Sequence, residues 1–215
     1  MPLKIKHLVR DLELTLLAGE KALERTVDID LLTRPGVELA GFLDFYETDR
    51  LILIGSKEAS FIRMLPVKMQ KERLKAIFEK KPPGVVFSVN VDVHDVYKEL
   101  GNAYDVAILK SNIRTTPLSG QLYRYLNEKL AVRKSMHGVL LDIHGMGVLI
   151  TGKSGIGKSE TALELIKRGH ILISDDRVDI YEAGHGVLVG QAPKVLEKYI
   201  EVRGIGIVDV VSMFG

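Results

Sequence analysis

Nine consecutive residues, Thr151-Gly152-Lys153-Ser154-Gly155-Ile156-Gly157-Lys158-Ser159, carry the most legible chemistry in this chain. They fit G-x-x-x-x-G-K-[ST], opening at Gly152 and closing at Ser159. Glycines at this spacing let the backbone turn tightly, so that successive N–H groups point inward at a polyphosphate. Lys158 can then reach the β- and γ-phosphates, and the Ser159 hydroxyl can ligate Mg²⁺. The flanks agree with that reading. Gly147-Val148-Leu149-Ile150-Thr151 is short, apolar and β-branched, as a buried strand would be. Glu160 to Arg168 reads as an amphipathic helix closed by Gly169 at its C′ position. A helix N-terminus beneath a glycine-rich loop binds anions by its geometry.

A second constellation follows. The apolar run Ile171-Leu172-Ile173-Ser174 ends in Asp175-Asp176, where phosphate-loop proteins keep a second carboxylate on the Mg²⁺ side. Two adjacent acids allow a division of labour, one facing the metal and the other an approaching hydroxyl. A carboxylate suffices as base there, because the hydroxyl proton need leave only as the new bond forms. The residues alone leave open which acid does which. His137, before Gly138, either lies across the sheet from the loop or is a surface or packing residue, the commoner role of a lone His. Glu201 and Arg203 bracket Val202, so in a strand both point one way; the residues alone leave open whether Glu201 meets Mg²⁺ and Arg203 a phosphate. The other histidines (His7, His94, His144, His170, His185) show no ligand spacing. Arg34, beside Pro35-Gly36, is expected to be structural or solvated.

The elements that must position these groups fall into two parts, residues 1–130 and 131–215. In the first, a basic amphipathic segment over Ile5–Leu12 precedes a strand at Leu14–Leu17 and a short helix over Pro35–Gly41. Strands are predicted at Leu51–Gly55, Val85–Val89 and Val106–Leu109. Helices are predicted around Glu58–Met64, Lys68–Glu79, Val93–Leu100 and Pro117–Lys129. Such alternation predicts a small open α/β domain with a largely parallel sheet. It carries no catalytic signature, which suits a regulatory or assembly module. In the second part, Val139–Ile143 and Val148–Thr151 form a hairpin around His144-Gly145-Met146-Gly147. A further hairpin joins Val178–Tyr181 to Gly186–Val189, Lys194–Ile200 is helical, and Glu201–Val211 is strand-like. The fold class is therefore α/β, a small open domain followed by a phosphate-loop domain.

Composition narrows the classes. The charge of +2 comes from 30 basic and 28 acidic residues, a balance that argues against a nucleic-acid protein with a basic face. There is no cysteine among the 215 residues, which excludes disulfides and thiolate metal sites. The N-terminus is interrupted by charge too often for a signal peptide, and no apolar run is long enough to span a membrane. A cytoplasmic protein is expected.

Together these stretches resemble the HPr kinase/phosphorylase family, bacterial enzymes acting on a serine of the phosphocarrier protein HPr. The resemblance runs through Arg34-Pro35-Gly36-Val37-Glu38-Leu39-Ala40-Gly41 and Ser135-Met136-His137-Gly138. It continues from the loop Gly152–Ser159 into Glu160-Thr161-Ala162-Leu163-Glu164-Leu165, Lys167-Arg168-Gly169-His170 and Asp175-Asp176-Arg177-Val178-Asp179. It closes on Ile200-Glu201-Val202-Arg203-Gly204-Ile205-Gly206-Ile207-Val208-Asp209, which looks like the family's signature segment. The resemblance implies that Lys158 contacts phosphates, Ser159 and Glu201 hold Mg²⁺, and His137 takes part in catalysis. It implies Asp176 as base in the kinase direction and acid in the reverse. That reverse reaction is phosphorolysis, in which inorganic phosphate attacks phosphoserine and pyrophosphate leaves. ATP, Mg²⁺, HPr and a homo-oligomer, a hexamer in the family, are the implied cofactors and partners. Members control carbon utilisation, including carbon catabolite repression, and respond to glycolytic metabolites. The family continues past the signature segment with a catalytic arginine, a segment important for dephosphorylation and helices that meet neighbouring subunits and HPr. The 215 residues are therefore expected to bind ATP–Mg²⁺ and to phosphorylate HPr poorly, if at all.

Two rival readings keep the loop but change the acceptor. One is a kinase for a small-molecule hydroxyl. The other is a nucleotide-dependent switch, which requires a water-positioning residue and an arginine finger that the sequence does not identify. GTP specificity has no support, since no Asn/Thr-Lys-x-Asp stretch occurs.

Overall fold

The computed structural model describes residues 2–184, 186–193, 199–202 and 206–209, the last two stretches as backbone. The chain divides into two compact units, Met1–Leu130 and Ala131–Gly215.

The N-terminal unit is built on five strands, β1 (Thr15–Ala18), β2 (Leu32–Thr33), β3 (Leu51–Ile54), β4 (Gly84–Phe87) and β5 (Ala107–Lys110), in the order β1-β5-β4-β3-β2. All pairings are parallel except β1 with β5. Among the described residues six α-helices accompany them, beside a 3-10 helix at Glu20–Glu24: α1 (Ile5–Asp11), α2 (Val37–Ala40), α3 (Ser56–Met64), α4 (Val67–Phe78), α5 (Asp95–Tyr104) and α6 (Thr115–Leu130). Successive side chains of a strand point to opposite faces, and both faces here are covered. Leu51, Leu53, Val86, Ala107 and Leu109 join one core with Ile5 and Leu8 of α1 and Leu118, Leu122 and Leu126 of α6. Ile52, Ile54, Val85, Phe87 and Ile108 join the other with Leu74, Ile77 and Phe78 of α4 and Tyr97 and Leu100 of α5. Two-sided burial is why these strands read as continuous apolar runs. The predicted elements are present with ends moved by a few residues; the two-residue β2 is too short to leave a pattern. Arg34 donates to Glu58 Oε1 at 2.7 Å, a structural role.

The C-terminal unit is made of smaller sheets. Strands β7 (Val139–Ile143), β8 (Met146–Ile150) and β9 (Ile171–Ser174) form a sheet with β7 in the centre, antiparallel to both neighbours. Strands β6 (Lys134–His137), β10 (Arg177–Glu182) and β11 (Leu188–Gln191) form a second sheet around β10. Helix α7 (Lys158–Lys167) packs Ala162 and Ile166 against Val139 and Leu141 of β7. Leu140 points the other way, lying between the two sheets near Val178 and Gly190. A two-stranded ribbon pairs β12 (Tyr199–Val202) with β13 (Gly206–Asp209), Glu201 facing Ile207.

Three expectations are corrected here, and one strand was not foreseen. Strand β8 is half-exposed rather than buried, because it lies at a sheet edge. The β7–β8 turn consists of His144-Gly145 alone, both with positive φ (52° and 82°), the tight primed turn that suits strand twist. Lys134–His137 is a strand, hidden in the sequence because all four residues are exposed. Tyr199 and Ile200, expected at the end of a helix, are extended in β12; their aromatic and β-branched side chains favour a strand. The remainder of that expected helix, 194–198, lies outside the described residues, as do His185 and Arg203-Gly204-Ile205.

Candidate active site

Because β7 runs antiparallel to both neighbours, the C-terminal ends of β8 and β9 flank its N-terminal end. Val139 pairs with Ile150, and Leu140 with Ser174. The glycine-rich loop leaves from Ile150, Asp175 follows Ser174, and His137-Gly138 enters β7 at the same end. Topology alone thus gathers three stretches that are far apart in sequence. Gly138 permits the approach: a Cβ there would stand 2.7 Å from the Ile150 carbonyl oxygen, inside the contact distance of any side chain.

The loop ends at Gly157, the N-cap of α7, with φ 99°, a conformation glycine adopts without cost. The first-turn N–H groups of α7 lack intrahelical partners and face the loop, and Glu160 in that turn suits the helix dipole. Thr161 Oγ1 donates to the Gly157 carbonyl at 2.8 Å, tying the turn down. Lys158 Nζ donates to the Gly152 and Lys153 carbonyls, each at 3.2 Å, so its ammonium lies across the loop. Ser154, Gly155, Gly157, Lys158, Ser159, Glu160, Asp175 and Asp176 line an open cleft of ≈ 180 Å³.

The two acids diverge. Asp175 is 7% exposed, and Ser159 Oγ donates to its Oδ1 at 3.3 Å. Asp176 takes a positive φ of 66°, which turns its side chain outward to 79% exposure. Its carbonyl accepts from Gly138 N at 3.1 Å and lies 3.2 Å from His137 Nδ1. The His137 Nδ1 to Asp176 Oδ1 separation is 3.7 Å. Mg²⁺ prefers octahedral oxygen ligands at about 2.0–2.1 Å, whose adjacent oxygens lie about 3.0 Å apart. The Ser159 hydroxyl and Asp175 carboxylate, 3.3 Å apart, fit one edge of such a site with little movement. The residues therefore suit a hydrated magnesium ion.

Two family models match, described as the HPr Serine kinase N terminus over residues 3–126 and the HPr Serine kinase C-terminal domain over residues 128–215. The chain belongs to the HPr kinase/phosphorylase family. HPr kinase/phosphorylases of Bacillus cereus strain G9842 and Bacillus mycoides strain KBAB4 are each 43% identical over 212 residues, which is 99% of this chain and 69% of theirs. The solved HPr(Ser) kinase/phosphatase of Coxiella burnetii is 48% identical over 38% of this chain and 54% of its own, with a TM-score of 0.37. These relatives are enzymes of a kinase/phosphorylase class. No described helix is long and apolar enough to cross a membrane.

Of the residues expected at the site, the fold brings together Gly152, Lys153, Ser154, Gly155, Ile156, Gly157, Lys158, Ser159, Asp175, Asp176 and His137. Ile156 is 69% exposed and offers backbone only. Glu201 lies in β12, which runs beside α7; its partner in the proposed pair, Arg203, lies outside the described residues. Sequence reasoning assigned no role to Ser135, Arg177 or Asp179. Arg177 donates to Ser135 Oγ from Nε at 3.2 Å and from Nη2 at 2.9 Å, and Ser135 donates to Asp179 Oδ1. Polar residues two apart on adjoining strands were the signal, visible only once β6 was known to be a strand.

Proposed function

We propose that this chain transfers the γ-phosphoryl group of ATP to a serine of HPr and catalyses the reverse phosphorolysis. The observation that carries the proposal is the placement of a buried carboxylate against the Ser159 hydroxyl and an exposed one beside His137, at the mouth of one cleft. The loop N–H groups and Lys158 hold the β- and γ-phosphates, releasing the Lys158 ammonium from the two loop carbonyls. Ser159 and Asp175, with Glu201 from β12, would hold Mg²⁺. That ion supplies charge neutralisation on the phosphates when bound.

On the open side, Asp176 accepts the proton of the acceptor hydroxyl as the serine oxygen bonds to the γ-phosphorus and the bond to the β-phosphate oxygen breaks. His137 orients Asp176 through its contacts there. In reverse, a phosphate oxygen attacks phosphoserine, the serine oxygen leaves with the Asp176 proton, and pyrophosphate forms. A site shaped for β- and γ-phosphates also suits phosphate and pyrophosphate. Such transfers depend chiefly on positioning and charge, which this site provides without a covalent nucleophile. Residues 131–215 form the phosphate-loop kinase/phosphorylase domain, and residues 1–130 a regulatory or assembly module. Family membership supports a cytoplasmic homo-oligomer, a hexamer, controlling carbon catabolite repression.

Intact-mass spectrometry of HPr after incubation with the chain and ATP–Mg²⁺ tests the proposal. Gain of one phosphoryl group, slow at the low activity expected of these 215 residues, then its loss on adding phosphate with release of pyrophosphate, is the expected result. Transfer to a small-molecule hydroxyl with HPr left unmodified would overturn it.

A further inference from the structure

The cleft contains one charged group that the proposed reaction leaves without a role. Lys158, Asp175 and Asp176 each have one; Glu160 lines the same cleft and has none. Its carboxylate is exposed, and among the described residues it pairs with no cation. The helix supplies none either. Side chains meet three and four residues apart, and those neighbours are Leu163 and Glu164, the latter already bonded by Lys167 at 2.7 Å. Lys158, two residues back, does not face it. Like charges four residues apart weaken a helix by a small amount, so pairing along α7 does not explain Glu160. What it does approach is the loop: its Oε2 lies 3.9 Å from where a Cβ on Gly157 would stand.

Position decides which phosphate that carboxylate meets. In a loop of this type the lysine reaches the β- and γ-phosphates, while backbone N–H groups cradle the α- and β-phosphates. The Lys158 ammonium lies over Gly152 and Lys153, where the loop opens. The Glu160 carboxylate lies where it closes, beside Gly157 and the first-turn N–H groups of α7. A nucleotide therefore brings its α-phosphate towards an uncompensated negative charge. Pyrophosphate, held at the β- and γ-positions, stays further from it. We propose that Glu160 is a specificity-determining residue whose carboxylate opposes the α-phosphate, weakening ATP relative to pyrophosphate. At a given ATP concentration it lowers the share of sites holding nucleotide and leaves more open to phosphate. This rests on the reading that the loop and Lys158 hold the β- and γ-phosphates.

The test is calorimetric titration of the chain with ATP–Mg²⁺ and with pyrophosphate–Mg²⁺, for wild type and Glu160→Gln, at low and high salt. Removing one like charge a few ångströms from the α-phosphate should tighten ATP by roughly fivefold at low salt. Pyrophosphate affinity should stay within about twofold, and the gain for ATP should shrink as salt rises. Glu160→Ala, which removes the same charge, serves if Glu160→Gln fails to fold. Unchanged or weaker ATP binding, or equal tightening of ATP and pyrophosphate, overturns the assignment of Glu160. A wild type that binds neither ATP nor pyrophosphate overturns the reading of the loop itself, and the inference with it.

Discussion

In the N-terminal unit β3 and β4 are buried along their whole length, and their side chains alternate between two cores. In the C-terminal unit β6 is exposed along its whole length and β8 is only half covered. The first unit devotes its strands to packing, and its cation Arg34 to a structural ion pair with Glu58. The second devotes strand ends and exposed faces to polar groups, held by a left-handed Asp176 and by glycines at close approaches. Stability and chemistry are thus drawn from different residues. Substitutions in the two units should fail in different ways.

The largest effect should come from Lys158→Ala. Transfer to HPr should fall by roughly a hundred- to a thousandfold, the order of removing one preorganised donor from a charge-stabilising site. Its melting temperature should barely move; single-turnover assays beside calorimetry would show the split. Leu53→Ala should do the reverse. The side chain is fully buried, so deleting it should cost roughly 2–5 kcal/mol in chemical denaturation while ATP affinity stays as it was. A large loss of ATP affinity in that variant would break the comparison.

Gly138→Ala should blur the two classes. Its Cβ would press on the Ile150 carbonyl at the root of the loop, costing about 1–3 kcal/mol by overpacking and weakening ATP binding in equilibrium titration. Smallest is Glu24→Gln. Hydrogen bonds first from Lys4 and then from Lys6 hold the Glu24 carboxyl down at about 2, against an ordinary 4.5. A depressed carboxylate stabilises the fold above its unfolded pKa and loses that contribution as pH falls through its folded one. The difference in melting temperature between wild type and Glu24→Gln, present at neutral pH, should therefore shrink between about pH 4.5 and pH 2.

Much of this was readable in the chain because the signals were local. The loop Gly152–Ser159, the apolar runs of β3, β4 and β9, and the helix after the loop each announce themselves within ten residues. What was not readable depends on pairing between distant residues. Strand β6 has no apolar pattern, so the face shared by Ser135, His137, Arg177 and Asp179 exists only through its register with β10. The separation of Asp175 from Asp176 depends on one backbone angle, φ 66° at Asp176, which neighbouring acids do not reveal. Tyr199 and Ile200 misled because they continue a stretch that suits a helix as well as a strand, and Tyr199–Val202 pairs with Gly206–Asp209 instead.

The central claim is that the two adjacent carboxylates do different work, and ATP titration with and without Mg²⁺ tests it most directly. Asp175→Asn should weaken the Mg²⁺-dependent part of ATP binding by roughly tenfold or more, whereas Asp176→Asn should bind ATP–Mg²⁺ like the wild type. Equal losses in both variants, or a loss confined to Asp176→Asn, would contradict the account.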